Sequence, residues 1–172
     1  MPKFLFAFVL CLFSVSITAH TIYLPHLPEP HLLPVTGAPN GGISTNAPNW
    51  INVRVVESLP IESLKQVTFE IKCKPTTTPR VGTIKVAVGI SEYEFTISQS
   101  GEMKITTDGE ITTEQLAADS IRKVWFVPED KRVIPDIAFT ATLKGTRFEL
   151  DRHQGWLYVQ TNDGVYSAQL GN

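Results

Sequence analysis

Short segments in which apolar and polar residues alternate recur along most of this chain. From Trp50 onward they are separated by turn residues at intervals of about ten residues. Because successive side chains of a strand point to opposite faces of a sheet, such alternation is typical of half-buried strands. The pattern predicts an all-β domain over residues 50–172, either a sandwich or a barrel. We favour an immunoglobulin-like β-sandwich of about eight strands.

Two segments of this pattern contain residues that are typical of hairpin turns. The region 89–92 predicts a hairpin between an alternating run that ends at Ile90 and another that begins near Tyr93, with Ile90 pointing inward. Asp163-Gly164 predicts a second hairpin, because glycine accepts the positive φ of a primed turn.

One short helix interrupts the expected strands. Residues 112–115 have the Thr-x-x-Gln form of a capping box. They lead into Leu116-Ala117-Ala118, which are good helix formers. We expect two helical turns at most.

The first nineteen residues have the three-part pattern of a secretory signal. Lys3 precedes an apolar run at residues 4–15, and a small residue, Ala19, ends the segment. The run is shorter than the roughly twenty residues that a membrane span requires. We therefore expect residues 1–19 to be cleaved, with a cut after Ser16 as the alternative, and no transmembrane anchor in the mature protein.

Removal of the signal leaves Cys73 as the single cysteine, so no intramolecular disulfide is expected. Cys73 shares one face of an alternating strand with Val67, Phe69 and Ile71. This phase predicts a buried and unreactive thiol, since reactive cysteines need an electropositive, partly exposed site.

Residues 20–49 differ from the rest of the chain. They combine six prolines with very few charges and several apolar side chains. Proline fixes φ and removes a backbone donor, which favours an extended arm over the interior of a sheet. We expect this Pro-rich arm to be a tether, or to engage a neighbouring protein or its own domain.

Charge and motif content exclude several functions. The formal net charge is −2, so no basic field is available for binding nucleic acid. The sequence lacks a Gly-x-Ser-x-Gly elbow, a phosphate-binding glycine loop, His-Glu-x-x-His and Cys-x-x-Cys. These absences favour a protein that is not an enzyme and needs no cofactor.

A copper site is the alternative to this cofactor-free interpretation. Cleavage after Ala19 would make His20 the mature N-terminus, where its α-amine and ring nitrogen form a chelate suited to Cu(II). This position resembles the copper brace of lytic polysaccharide monooxygenases and the N-terminal ligand of periplasmic copper carriers. The resemblance implies a second histidine, for which His153 is the candidate in the β domain and His26 and His31 are options in the arm.

Aromatic residues supply the candidate binding surface. Trp156 and Tyr158 share one face of a strand whose other face carries Leu157 and Val159. If the aliphatic face lies in the core, the aromatic pair could stack on a glycan or contact a protein partner. The alternative is a central strand covered on both sides, and Trp125 presents the same ambiguity.

Together these features predict an exported, non-catalytic β-sandwich protein that acts by protein–protein binding in a cell-envelope or surface assembly. Strand addition at an exposed sheet edge is the expected route. The alternatives are a carbohydrate-binding module that uses the exposed aromatics, or the copper protein described above.

Overall fold

The computed structural model describes residues 20–107, 110–130, 136–150 and 154–171. The predicted signal lies outside these ranges. Within them the chain is nearly all β, with two pairs of sheets that follow one another along the sequence. Each pair of sheets encloses a hydrophobic core of its own.

The first sandwich is built from seven strands. They are β1 (His20–Leu24), β2 (His31–Gly37), β3 (Ile43–Asn46), β4 (Ile51–Ile61), β5 (Leu64–Cys73), β6 (Arg80–Val88) and β7 (Ser91–Gln99). One sheet has the order β1-β7-β6-β3 and the other the order β2-β5-β4. Both sheets contribute to the first core, for example through Ile97 on β7 and Phe69 on β5.

The second sandwich follows directly. Its strands are β8 (Gly101–Glu102), β9 (Ile111–Thr113), β10 (Ile121–Pro128), β11 (Ala138–Thr142), β12 (Gly145–Glu149), β13 (Gly155–Thr161) and β14 (Val165–Leu170). One sheet has the order β10-β13-β14-β8 and the other the order β11-β12-β9. Leu157 and Val159 on β13 face Phe148 on β12 in the second core.

The sandwich class is therefore confirmed. The described part of residues 50–172 contains the eleven strands β4 to β14 where about eight were expected, and the chain forms two cores where the pattern suggested one. An immunoglobulin-like connectivity stays a prediction. The parallel pairing of β1 with β7 is a feature that local alternation does not indicate, since it joins segments that are far apart in sequence.

Residues 20–49 are extended, as expected, but they belong to the sheets. β1 pairs with β7, β2 with β5 and β3 with β6. Each of the three is an edge strand, where proline is tolerated because one row of backbone groups faces outward. Leu24 and Val35 are buried in the first core. The segment thus engages its own domain.

The alternation in β5 is confirmed. Val67, Phe69, Ile71 and Cys73 are at most 3% exposed. The hairpin at residues 89–92 is also confirmed, with Val88 paired with Ser91. Gly89 adopts a φ of 65° there, a conformation that glycine accepts without steric cost. The inward orientation expected for Ile90 is wrong: it is the second turn residue and is 89% exposed.

The predicted helix at residues 112–118 is wrong. Thr112 pairs with Thr106, and Thr113 ends β9 and donates its hydroxyl to the carbonyl of Lys104. Gln115 bonds the backbone of Lys104 and Glu102 instead of capping a helix. These side chains bridge neighbouring segments, and what remains is a single 3-10 turn at Ala118–Ser120.

Candidate functional site

The aromatic face of β13 lies at the junction between the two sandwiches. β13 is a central strand, and its aliphatic face fills the second core. Its other face carries Trp156 and Tyr158, which are 7% and 3% exposed. The sequence was compatible with an exposed aromatic face or with a central strand covered on both sides. The structure has the second arrangement. These two side chains do not form an open platform for a glycan or a partner.

Trp125 completes this aromatic cluster from β10. Its ring stacks on Tyr158 with centroids 5.1 Å apart and planes within 3°, because the two residues are directly paired in the sheet. Tyr23 of β1 contacts Trp125 edge-on at 5.2 Å. The structure therefore brings the three predicted aromatics together and uses them to join the sandwiches. Such aromatic pairs stabilise by about 0.5–1.5 kcal/mol beyond their buried area.

The loop between β1 and β2 covers the other end of the cluster. Trp156 donates its indole N–H to the Glu29 carboxylate at 3.0 Å. The ring of His26 packs edge-on against the Trp156 ring, with the ring centroids 5.4 Å apart. Burial raises the pKa of the Tyr158 phenol, and the nearby Glu29 charge raises it further. Tyr158 is therefore neutral and remains stacked at physiological pH.

A buried hydroxyl network lies beneath this loop. His26 Nδ1 is 3.0 Å from Ser167 Oγ, which is 2.6 Å from Ser100 Oγ. Ser100 in turn donates to the carbonyl of Leu24. Desolvation lowers the pKa of His26, although Glu102, Ser167 and Glu29 each act in the opposite direction. Both serines are fully buried, so a substrate has no access to this serine–histidine contact.

Sequence reasoning did not identify this network. Ser100 follows the alternating run of β7 and Ser167 sits within β14, and neither position has a local signature of burial. One local feature of the sequence indicates a buried polar cluster: Ser98-Gln99-Ser100 is a polar run at the end of a strand. All three side chains are buried, and Gln99 bonds the carbonyls of Pro25 and Lys74.

A cleft of about 490 Å³ opens beside the junction. One wall is the outer face of β1, β7 and β6, where Thr21 pairs with Thr96 and Tyr23 with Ser98. The opposite wall is the end of the β13–β14 hairpin, including Asp163. The Asp163-Gly164 turn predicted from the sequence is confirmed, and it delimits this cleft.

The β4–β5 hairpin carries a different kind of surface at its far end. We call residues 55–66 the distal hairpin. It exposes five large apolar side chains, each between 41% and 46% exposed: Val55, Val56, Leu59, Ile61 and Leu64. The strand β4 is also an edge of its sheet. Exposed apolar residues that are clustered mark interaction sites more often than isolated ones do.

The expected copper ligands are not assembled among the described residues. His20 is exposed at the start of β1, and His153 lies outside the described residues. His26 is engaged with Ser167, and His31 is part of β2. Within the described ranges no group of three or more His, Cys, Asp or Glu side chains could hold a metal. The copper site stays a prediction.

Cys73 behaves as expected from its strand phase. It is a free, buried thiol, and burial raises its pKa to about 11, with Arg80 acting in the opposite direction. The thiolate required for metal binding or redox chemistry is therefore disfavoured.

Comparison with known proteins gives little further constraint. No family model matches the sequence, and no curated protein matches it. Among the described residues no helix has the length and hydrophobicity needed to span a membrane.

Three solved structures are similar over most of this chain. Two are structures of the S-layer protein SbsC, one of rSbsC(31-844) and one of SbsC domains 1-6. They are 12% and 13% identical, each with a TM-score of 0.34, and each similarity covers 90% of this chain and 24% of the other. The third is endo-fucoidan hydrolase MfFcnA4 from glycoside hydrolase family 107, 11% identical with a TM-score of 0.29, covering 88% and 27%. The chain thus spans about a quarter of these proteins, and similarity at this level assigns it to no family.

Proposed function

We propose that this protein is exported and acts, without catalysis, by binding another protein in a cell-envelope or surface assembly. The distal hairpin is the proposed contact surface. The observation that carries the proposal is the exposure of five large apolar side chains on one hairpin. Leaving them in water is unfavourable by about 25 cal/mol per Å² of apolar surface, and a partner that covers them removes this cost.

The pairing register indicates how the hairpin presents these side chains. Ile61 is directly opposite Leu64, and Leu59 lies two residues from Ile61 on the same face of β4. The three therefore form one continuous apolar surface. Val55 lies opposite the buried Phe69, so it extends the apolar region on the other face.

Side-chain docking is a better route here than strand addition along the whole edge. Pro60 lacks a backbone N–H, and the ladder is irregular between Val55 and Glu57. Prolines and bulges are the devices by which edge strands prevent pairing with other chains. Main-chain pairing would be confined to the part of β4 before the irregularity.

The charges around the hairpin favour a protein over an anionic membrane. Within residues 55–66, Glu57 and Glu62 flank the apolar side chains and Lys65 is the one cation. Binding to anionic lipid requires a cluster of basic residues. An apolar surface with a mixed, weakly acidic rim fits a protein groove with a polar rim.

Affinity purification from an envelope fraction, with the full-length exported protein as bait, tests this proposal. The test variant combines Leu59→Thr, Ile61→Thr and Leu64→Thr, because threonine keeps β propensity while removing most of the apolar surface. The matched control combines Ile90→Thr and Leu143→Thr, which alter two exposed apolar turn residues elsewhere. Removing residues 20–49 would not be a clean test, because it deletes β1, β2 and β3.

We expect one defined set of partners to be recovered with the native protein and with the control, and to be reduced at least about tenfold with the test variant. Circular dichroism and thermal melting confirm that both variants fold. Equal recovery with the test variant would refute the proposed surface. Binding of the native protein to protein-free anionic vesicles, abolished in the test variant, would show that the hairpin is a lipid anchor instead.

A further inference from the structure

The cleft beside the junction has features of a ligand site that the aromatic cluster itself lacks. Its volume of about 490 Å³ lies within the range of small-molecule sites. It lies between the first sheet and the β13–β14 hairpin, so both sandwiches are needed to form it. It is separate from the distal hairpin, which belongs to the other sheet of the first sandwich.

The walls of the cleft carry polar side chains from both sandwiches. Thr21, Thr96 and Ser98 supply hydroxyls from β1 and β7, and Gln160 and Asp163 supply an amide and a carboxylate from the opposite wall. Elsewhere in the junction, polar side chains such as Ser100 and Gln99 are hydrogen-bonded. By contrast, the side chains of these five residues form no hydrogen bond or ion pair with another residue in the described ranges.

The spacing of the hydroxyls is set by the sheet. Thr21 and Thr96 are direct partners on neighbouring strands, so they lie about 4.8 Å apart across the ladder. Ser98 lies two residues further along the same face, about 7 Å away. The result is a fixed row of donors and acceptors, closed on one side by the ring of Tyr23, which is 43% exposed.

The electrostatics of the cleft restrict what can bind. Asp163 contributes a carboxylate with no cationic partner among the described residues, which disfavours phosphate, sulfate and acidic sugars. Arg80 lines the cleft, but its guanidinium already donates to Gln99 at 2.9 Å and to the Lys74 carbonyl at 2.6 Å. It also stacks over Trp50 at 4.3 Å. Arg80 is therefore poorly placed to recruit an anion.

We propose that this cleft binds a neutral oligosaccharide. A ligand with many hydroxyls matches walls that both donate and accept hydrogen bonds, and an apolar sugar face matches the exposed ring of Tyr23. An apolar ligand would leave the hydroxyls, amide and carboxylate desolvated without partners, which is unfavourable.

Heteronuclear NMR of the protein that begins at His20, without the predicted signal, tests the inference. The probes are trisaccharides of glucose, mannose, galactose and N-acetylglucosamine, each at about 10 mM, where even millimolar binding is detected. Trigalacturonic acid serves as the anionic comparison. We expect saturable shifts from at least one neutral trisaccharide, centred on the amides of Thr21, Thr96 and Asp163, and much weaker shifts from the anionic one.

Paired variants locate the binding. Thr96→Val combined with Asp163→Ala removes one group from each wall and should raise the dissociation constant about tenfold. Thr83→Val is the matched control, because Thr83 is the direct sheet partner of Thr96 but does not line the cleft. It should change the dissociation constant less than about twofold.

Failure of all four neutral trisaccharides to bind, or shifts that map away from the cleft, would overturn the proposal. Shift mapping uses the native protein, so this outcome is decisive even if a variant fails to fold. Stronger binding of the anionic sugar would also contradict the inference, since it would mean that Arg80 and not Asp163 governs recognition.

Discussion

Trp156 and Glu29 join the two sandwiches through a hydrogen bond of 3.0 Å between residues 127 positions apart in the sequence. The bond fixes the β1–β2 loop over the aromatic face of β13. Hydrogen bonds to a charged acceptor stabilise more than neutral ones. This contact and the aromatic stacking beside it connect the two sandwiches at their junction.

Truncation of Trp156 should destabilise the whole chain. We expect Trp156→Ala to lower the free energy of unfolding by about 3–5 kcal/mol, because it leaves a cavity at the junction. Trp156→Phe should cost less, since it removes mainly the hydrogen bond to Glu29. Urea denaturation measures both. A loss below about 1 kcal/mol for Trp156→Ala would mean that the junction contributes little to stability.

The stability of the protein should decrease at mildly acidic pH because of His26. Its pKa is lowered in the folded protein by desolvation, so the unfolded chain binds a proton first as the pH falls. Stability is therefore lost as the pH drops through about 6.5, the unfolded value, and continues to fall until the folded pKa is reached. Above this window the residue contributes no pH dependence.

Replacing His26 by Gln isolates this contribution. The variant keeps a polar side chain near Ser167 and Glu102 but cannot be protonated, so its unfolding free energy should depend less on pH between about 8 and 5. The pH dependence that remains in the variant measures the contribution of the other titratable groups, including the other three histidines. An identical pH dependence in the two proteins would show that His26 is not responsible.

The Cys73 thiol should be almost inert in the folded state. It is 3% exposed and its pKa is raised to about 11, so both access and thiolate content are low. We expect modification by iodoacetamide at neutral pH to proceed only on unfolding, and the rate to rise sharply in urea. Rapid labelling of native protein would contradict the buried position of β5.

If the protein is exported as proposed, cleavage of the signal should leave His20 as the first residue of the mature chain. This prediction rests on the sequence pattern of residues 1–19. Mass spectrometry of the protein from its native compartment measures the N-terminus directly. A chain that still carries Met1 would rule out cleavage, and with it the N-terminal copper chelate.

Local sequence patterns were sufficient for individual strands and turns. The alternation of Val67, Phe69 and Ile71 correctly assigned the buried face of β5, and Asp163-Gly164 correctly placed a hairpin. Both depend on neighbours within a few residues. The capping-box pattern at Thr112 failed because its side chains bond to segments such as Lys104, whose proximity is a tertiary property.

Long-range arrangement was beyond these patterns. Nothing local indicates that β1 lies parallel to β7, or that Trp156 meets Glu29. The same alternation is compatible with one large sandwich or with two small ones. It specifies which face of a strand is buried but not which other strands pack against that face. For Trp156 and Tyr158 the composition allowed both exposure and burial, and only packing against the first sandwich decides between them.

The exposed end of the distal hairpin is the surface on which the proposed binding function depends. A photo-crosslinking amino acid introduced at Ile61, and for comparison at Ile90, would report contacts of the protein in intact cells. Both positions are exposed apolar residues, so they differ in location and not in chemistry. We predict a discrete crosslinked protein species from position 61 that is absent from position 90. No crosslink at position 61, or the same products from both positions, would contradict the proposed binding function.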